Sequence, residues 1–384
     1  MKLNLLRKLA AVSVIGVAVT GIVLILIALL YRRAPHAVLW YLQGGTVYRY
    51  DTEKRTTEAV RLPSRTITSA RLSPDSSVIA FSDQEGLKIA ISPFDAVRTI
   101  AEHKVSIDGS KELEQYKLTT TYVIREWSPD SQSVFVEEWG WDVFVYRMSM
   151  ATAQLEPLPS STVPTMRCSA GLSWSSDSRK FVIPGWGLGI CPDAGGVIVA
   201  SIEDADFRRI YYETIHADSL VFEGGVTYAA WSPTEDLIAF VQAADFQSNE
   251  GYRWKLMTVR TDGTQAQTLV DTTDDELAVP IWSPNGTELY YLLRRRENSD
   301  ADIYSVNLRS HTAKKLYSAS SVRLSSISPD GKWLTFVNDE GVLGGDILKT
   351  NVRIMNLSNK EVIQVNDTEW NIGSADIVGW ELMR

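Results

Sequence analysis

Along most of this chain apolar and polar residues alternate with a period of two, in short runs separated by turn-forming residues. Val78-Ile79-Ala80-Phe81 and Leu289-Tyr290-Tyr291-Leu292 are two such runs. Period-two alternation rich in β-branched and aromatic residues predicts half-buried strands. Further strands are expected from Asp142, Trp254, Ala301 and Asn351, each followed by a shorter one such as Leu155–Pro159 or Gln267–Asp271. One stretch breaks the pattern. Residues 9–31 carry no charge, and as a helix they would be roughly 34 Å long, enough to cross a bilayer core of about 30 Å. We read them as a transmembrane helix rather than a cleaved signal, because LIALLYRRAPHA offers no A-x-A site.

The strands fall into repeats. RLSPDSSVIAFS begins at Arg71, EWSPDSQSVFVEE at Glu126 and SWSSDSRKFVIPG at Ser173. AWSPTEDLIAFVQ follows at Ala230, IWSPNGTELYYLL at Ile281 and ISPDGKWLTFVN at Ile327. The turns open at Ser73, Ser128, Ser175, Ser232, Ser283 and Ser328. Proline presets the first central residue of a type I turn, Asp or Asn suits the second, and glycine accepts the left-handed conformation that follows. Ser76, Ser131, Ser178 and Glu235 stand where Gly286 and Gly331 stand, so this last step is expected to be weaker in four copies.

Each copy supplies four antiparallel strands, the unit of a propeller blade. Residues from Val38 supply strands two to four without a first, and the segment from Ser374 supplies a first strand with nothing after it. Trp380 stands there in the place of Trp127, Trp174, Trp231 and Trp282. The reading is an all-β, seven-bladed β-propeller of four-stranded antiparallel blades, closed by both termini and preceded by one N-terminal transmembrane helix. Its parts are a short cytoplasmic N-terminus (1–8), the helix (9–31), a linker (32–36) and the propeller (37–384).

The motif W-S-P-D-G-x-x-I-A-F, read in six copies, resembles the repeats of the TolB-type, WD-like β-propeller family. The resemblance covers nearly everything from Ala37 onward. TolB itself is a soluble periplasmic protein with six blades and an α/β domain, so a TolB-like role in an envelope complex is not carried over. Peptidases with similar repeats add a hydrolase domain bearing G-x-S-x-G. The nearest approach here, Arg167-Cys168-Ser169-Ala170-Gly171, lacks the first glycine.

Strand polarity divides the ring into two faces. Loops 1–2 and 3–4 are short and share one face; loops 2–3 and the crossovers hold nearly all the loop length and share the other. Function concentrates on loops carried by a rigid scaffold, so the long-loop face is the expected site. The linker reaches at most about 18 Å, which is expected to hold the tight-turn face near the membrane. The localisation read from this is a single-pass cell-membrane protein with a cytoplasmic N-terminus and an extracytoplasmic propeller.

The five tryptophans that repeat with the blades are expected in the inter-blade core. Trp139, Trp141, Trp186 and Trp370 do not repeat, and aromatics in such loops stack on sugars or anchor peptides, or simply pack the loops. With Arg295 they form the expected ligand-binding set. Arg294–Arg296 and the acidic residues Asp271, Asp274, Asp275 and Glu276 read either as a recognition element or as a salt-bridge rim. Cys168 and Cys191 fall on the long-loop face, as a disulfide worth about 3 kcal/mol or as two separate thiols. No metal signature and no cofactor motif occurs, and a net charge of −9 without a basic stripe excludes nucleic acid. The expected partners are the membrane, through the N-terminal helix, and an envelope protein or glycan. The alternative is a propeller lyase or hydrolase acting on a polysaccharide or cell-wall fragment.

Overall fold

The computed structural model describes residues 35–64, 66–107, 117–140, 143–158, 172–185, 196–203, 207–211, 225–247, 251–273, 275–295, 300–343, 346–366 and 375–383. The apolar run 9–31 lies outside them. Residues 37–381 form one compact unit, built from seven four-stranded antiparallel sheets. Blade 1 comprises Ser69–Leu72, Val78–Ser82, Gly86–Ile91 and Ala96–Glu102. Blade 2 comprises Thr121–Trp127, Ser133–Trp139, Val143–Ser149 and Gln154–Pro157. Blades 3 to 6 open with first strands at Ser173, Gly225, Asp275 and Val322. Blade 7 pairs the C-terminal strand Ala375–Met383 with His36–Gln43, followed by Thr46–Asp51 and Thr56–Ala59. Blade 7 is thus the split blade, and its pairing removes the two free sheet edges a linear array would leave.

A four-stranded sheet can bury both faces only against its neighbours, and the side chains divide accordingly. Val134 and Val136 of blade 2 pack with Val78 and Ala80 of blade 1, while Phe135 and Val145 pack with Trp174 and Phe181 of blade 3. The repeating tryptophans stand at these junctions, between 4% and 8% exposed. Buried indoles need a hydrogen-bond partner, and four find one on the preceding blade. Trp127, Trp174 and Trp282 donate Nε1–H to the carbonyls of Arg71, Glu126 and Ala230, at 3.1, 3.1 and 3.0 Å. Trp380 donates to the Ser326 hydroxyl at 3.0 Å. Trp231 is the exception, with a buried Nε1 that has no partner.

The Ser-Pro-Asp turn explains its own composition. Ser128 is buried; its hydroxyl donates to Asp130 Oδ1 (2.6 Å) and accepts from the Ser133 amide (2.9 Å). Ser73, Ser175, Ser283 and Ser328 repeat the arrangement. Ser76, Ser131 and Ser178 adopt the left-handed conformation at φ +61° despite lacking glycine's freedom. Two of them gain a compensating contact: the Asp75 amide donates to Ser131 Oγ and the Asp130 amide to Ser178 Oγ, both at 3.1 Å. The fourth copy without glycine does lose this step, because Glu235 is absent from the positive-φ residues and its amide turns toward Ser232 Oγ (3.3 Å). Thr234 replaces the turn Asp here, and its hydroxyl fills the space beside Gly286. A Cβ on Gly286 would meet Thr234 Oγ1 at 2.1 Å.

Two stretches expected to loop, 243–251 and 338–348, are largely strand. In blade 4, Leu237–Gln247 and Gly251–Arg260 run on as an extended hairpin, since the alternation meets no glycine or proline before Gly251. In blade 6, Trp333–Leu343 and Asp346–Asn356 pair out to Leu343 opposite Asp346. The crossover from blade 1 to blade 2 carries an extra ladder, Val105–Ile107 with Lys117–Thr119.

First strands of successive blades contact one another from blade 1 to blade 6, forming the inner ring. Blade 2 carries a β-bulge between Ile124 and Trp127, which re-aims Glu126. Glu126 is open to water on one side yet ringed by protein. That enclosure pushes its carboxyl up to about 8, against the pull of the Trp174 amide and the Arg71 charge. The folded carboxyl therefore keeps its proton to about pH 8, whereas an unfolded one loses it near 4.5. Its contribution to stability is full below the lower value and is lost as pH rises through the upper one.

Two outcomes follow from this geometry. Ser128→Ala removes an acceptor from a buried amide and should cost about 2 kcal/mol, read as a lower urea midpoint with an unchanged slope. Glu126→Gln keeps an acceptor for the Trp174 amide but cannot ionise. Between about pH 5 and about pH 8.5 its Tm should fall less than that of the wild type.

Candidate functional site

The second and third strands of blade 2 end on the long-loop face, and buried carboxylates stand there beside exposed aromatics. Glu137 and Glu138 are 5% and 4% exposed, while Trp139 and Phe144 are 44% and 56% exposed. Alternation sends these residues to opposite sides of the sheet. Glu138 and Phe144 pair across the strands and face the junction with blade 1; Glu137 and Trp139 face the junction with blade 3. One hairpin end thus presents an aromatic ring and a carboxylate on each side.

Each carboxylate is neutralised and hydrogen-bonded, as burial of a charge requires. Glu138 Oε2 accepts from the Tyr146 hydroxyl at 2.8 Å, and Oε1 lies 3.3 Å from Lys104 Nζ. The Tyr122 hydroxyl stands 3.4 Å from Glu138 Oε1 and 3.2 Å from the Glu102 carbonyl. Burial, then the Glu138 hydrogen bond and charge, push the Tyr146 phenol up to about 12. Tyr122 is raised further, by burial first and the Glu138 charge second. Both phenols therefore stay protonated and act as donors. Glu137 Oε2 is held by Arg125 and by Trp139 Nε1–H at 2.7 Å, which fixes the indole against its strand.

The network continues into blade 1. His103 stacks on Tyr122, with ring centroids 5.5 Å apart, and its Nε2 lies 2.7 Å from the Asp83 carbonyl. A carbonyl only accepts, so Nε2 carries the proton and Nδ1 is buried without a partner. Among the described residues no group of three or more His, Cys, Asp or Glu side chains is arranged to hold a metal ion.

Of the residues singled out in the sequence, Trp139 lies within this network. Arg295 lies on blade 5, three blades away, and the structure does not bring the two together. The Arg295 guanidinium binds Asp302 at 3.1 Å, where Lys315 also binds at 2.7 Å. Arg294 pairs with Glu276 (3.1 Å) and Arg253 with Asp271 (2.6 Å), the salt-bridge rim of the two earlier alternatives. Trp141, Trp186, Trp370, Cys168 and Cys191 lie outside the described residues. Sequence reading missed Phe144, Tyr122, Tyr146 and the two glutamates. Glu137-Glu138 inside an otherwise apolar strand was the available signal, since strands are depleted in Glu unless it is partnered.

No family model matches the chain. Over 129 residues, 33% of the chain, the sequence is 24% identical to the Tol-Pal system protein TolB of Francisella tularensis subsp. tularensis; the match spans 28% of that protein's length. The fold is similar to an oligogalacturonate lyase solved in complex with manganese. The TM-score is 0.54 at 14% identity, over 88% of this chain and 87% of that one. An oligogalacturonate lyase from Vibrio parahaemolyticus gives a TM-score of 0.55 at 12% identity, over 84% and 85%. The fold shared with these lyases is the β-propeller. At these identities the likeness extends to fold alone.

The geometry grades these residues by how far they hold the hairpin. Phe144→Ser should change unfolding free energy by no more than about 0.5 kcal/mol, and Trp139→Ser, which also takes a donor from the buried Glu137 carboxylate, should cost about 1 kcal/mol. Glu138→Ala removes the acceptor of the half-buried Tyr146 phenol and one partner of the buried Tyr122 phenol, and should cost about 2 kcal/mol. Urea unfolding of the three variants side by side checks the contrast.

Proposed function

We propose that this protein is a membrane-anchored, extracytoplasmic β-propeller that binds an envelope protein or glycan through its long-loop face. The carrying observation is the blade 2 hairpin end, where Trp139 and Phe144 stand exposed over carboxylates that are buried and hydrogen-bonded. Exposed aromatics supported by a buried, hydrogen-bonded polar layer are the composition of a recognition surface. Their rings are held at low entropic cost, because the strands and the Glu137 contact already fix the backbone and the Trp139 indole.

The anchoring part of the proposal rests on the uncharged run 9–31 and the basic residues Lys2, Arg7 and Lys8 before it. The long-loop face is the one whose outline varies from blade to blade. It carries the extended hairpins of blades 4 and 6 and the added ladder after blade 1. A varied rim on a regular ring suits a receptor or scaffold.

Crosslinking in intact membranes followed by affinity capture tests this reading, comparing wild type with Trp139→Ala/Phe144→Ala. One envelope protein captured by wild type and depleted at least tenfold from the variant supports it. Equal capture by both overturns the assignment of the surface. No specific protein from either leaves the glycan arm, tested next.

A further inference from the structure

Beside this hairpin, at the junction of blades 7 and 1, lies a cleft of about 460 Å³ on the same face. That is within the roughly 300–1,000 Å³ of small-molecule pockets. Its floor is the 2–3 loop of blade 1, and its wall is the crossover entering that blade. Asp83 at the floor is 4% exposed and Lys88 6%. Asp83 Oδ1 accepts from the amides of Glu85 (2.9 Å) and Gly86 (3.3 Å); Oδ2 accepts from Ser64 Oγ and Lys88 Nζ, both at 2.8 Å. Four donors saturate that carboxylate. Burial opposes its ionisation, but the Lys88, Glu85 and Ser64 hydrogen bonds outweigh it and hold Asp83 below the usual range; the same pairing holds Lys88 above its own.

The remaining bonding capacity has a definite character. Lys88 has three N–H groups and gives two, to Asp83 and Glu85, which leaves one donor on the floor. The floor has no spare acceptor for an ammonium group. Acceptors stand at the rim instead, on the exposed Glu85 carboxylate and the Gln84 amide. Ser64 and Thr66 add hydroxyls, and Leu62 with Pro63 forms an apolar wall. Among the described residues that line the cleft, Asp83, Glu85 and Lys88 together carry one net negative charge, so an anionic group would meet the exposed Glu85 carboxylate while Lys88 is already paired. Groups that both donate and accept, mounted on a ring with an apolar face, fit this lining. We propose that the cleft binds an uncharged saccharide unit, hydroxyls bonded to Lys88, Glu85 and Gln84 and the C–H face against Leu62 and Pro63. This names the ligand class for the face described above and rests on that reading.

Saturation-transfer NMR on the full-length chain, held in a detergent without sugar headgroups, tests it. The probes are an uncharged N-acetylglucosamine tetramer and, as the anionic comparison, trigalacturonate. The variants are Thr66→Trp, which fills the cleft from an exposed position, and Glu85→Ala, which removes a rim acceptor, each with Tm as the fold control. The expected result is transfer to the tetramer, at least tenfold weaker affinity in both variants at unchanged Tm, and weaker transfer to trigalacturonate. Absence of transfer to the tetramer, unchanged affinity in both variants, or preference for trigalacturonate overturns the proposal. Adding Trp139→Ala/Phe144→Ala separates the two readings. If that pair abolishes binding while the cleft variants do not, the face stands and the pocket falls; if neither set matters, the pocket and the glycan arm of the face reading fall together.

Discussion

Everything in this molecule depends on the contact between neighbouring blades. A four-stranded sheet has two faces to bury and only two neighbours to bury them against, so no blade is stable by itself and the ring must close. Between blades 1 and 2, and again between blades 2 and 3, the junction is specified twice. Inside, a tryptophan of one blade fills the seam and donates its indole N–H to a backbone carbonyl of the blade before it. At the tight-turn face, a turn amide of one blade donates to the turn serine of the next. The first contact is apolar area with one hydrogen bond attached; the second fixes the angle at which blades meet. Closure by a blade drawn from both ends of the chain leaves no junction to be satisfied by water.

That dependence explains which parts were legible in the sequence. Turn residues and seam tryptophans recur because the junction demands the same chemistry each time, so blade number, strand count and the split blade could all be read from them. Glu235 and Gly286 show the limit of such reading. Thr234 changes the turn that Glu235 belongs to, and glycine at 286 is needed for the space it leaves to that threonine as well as for its own φ. Position-by-position turn rules do not see a contact fifty residues away. The extended hairpins were partly legible: Gly344-Gly345 is a two-residue turn signal, and reading the segment as a loop undervalued Val342 and Leu343 before it.

The site was legible to a lesser degree, for a different reason. Trp139 stood out because it breaks the tryptophan repeat. Its partners did not, because the Tyr–Glu–Tyr–Lys cluster is assembled from three strands of one blade and the crossover before it, at separations no local pattern reports. Burial alone tells Glu138 from an ordinary surface glutamate, and burial follows only once the seam between blades 1 and 2 is built. Arg295 illustrates the converse. Its neighbours in sequence left recognition and a salt-bridge rim both open, and its guanidinium pairs with the buried Asp302, a contact that lies seven residues on and on the next strand.

The distribution of buried charge then separates the two faces physically. Among the described residues, Asp83, Lys88, Glu137, Glu138 and Asp302 are the fully buried charged side chains at long-loop ends, and four of these five belong to blades 1 and 2. Buried ion pairs rarely add net stability over apolar packing of the same volume. Closure of the ring does not need them either, since the described seam between blades 3 and 4 is built on apolar side chains such as Val182, Val197, Trp231 and Phe240. Such groups at one sector of one face are therefore best accounted for by what they position. They set an indole, a phenyl ring and a single ammonium N–H at a surface otherwise free to vary.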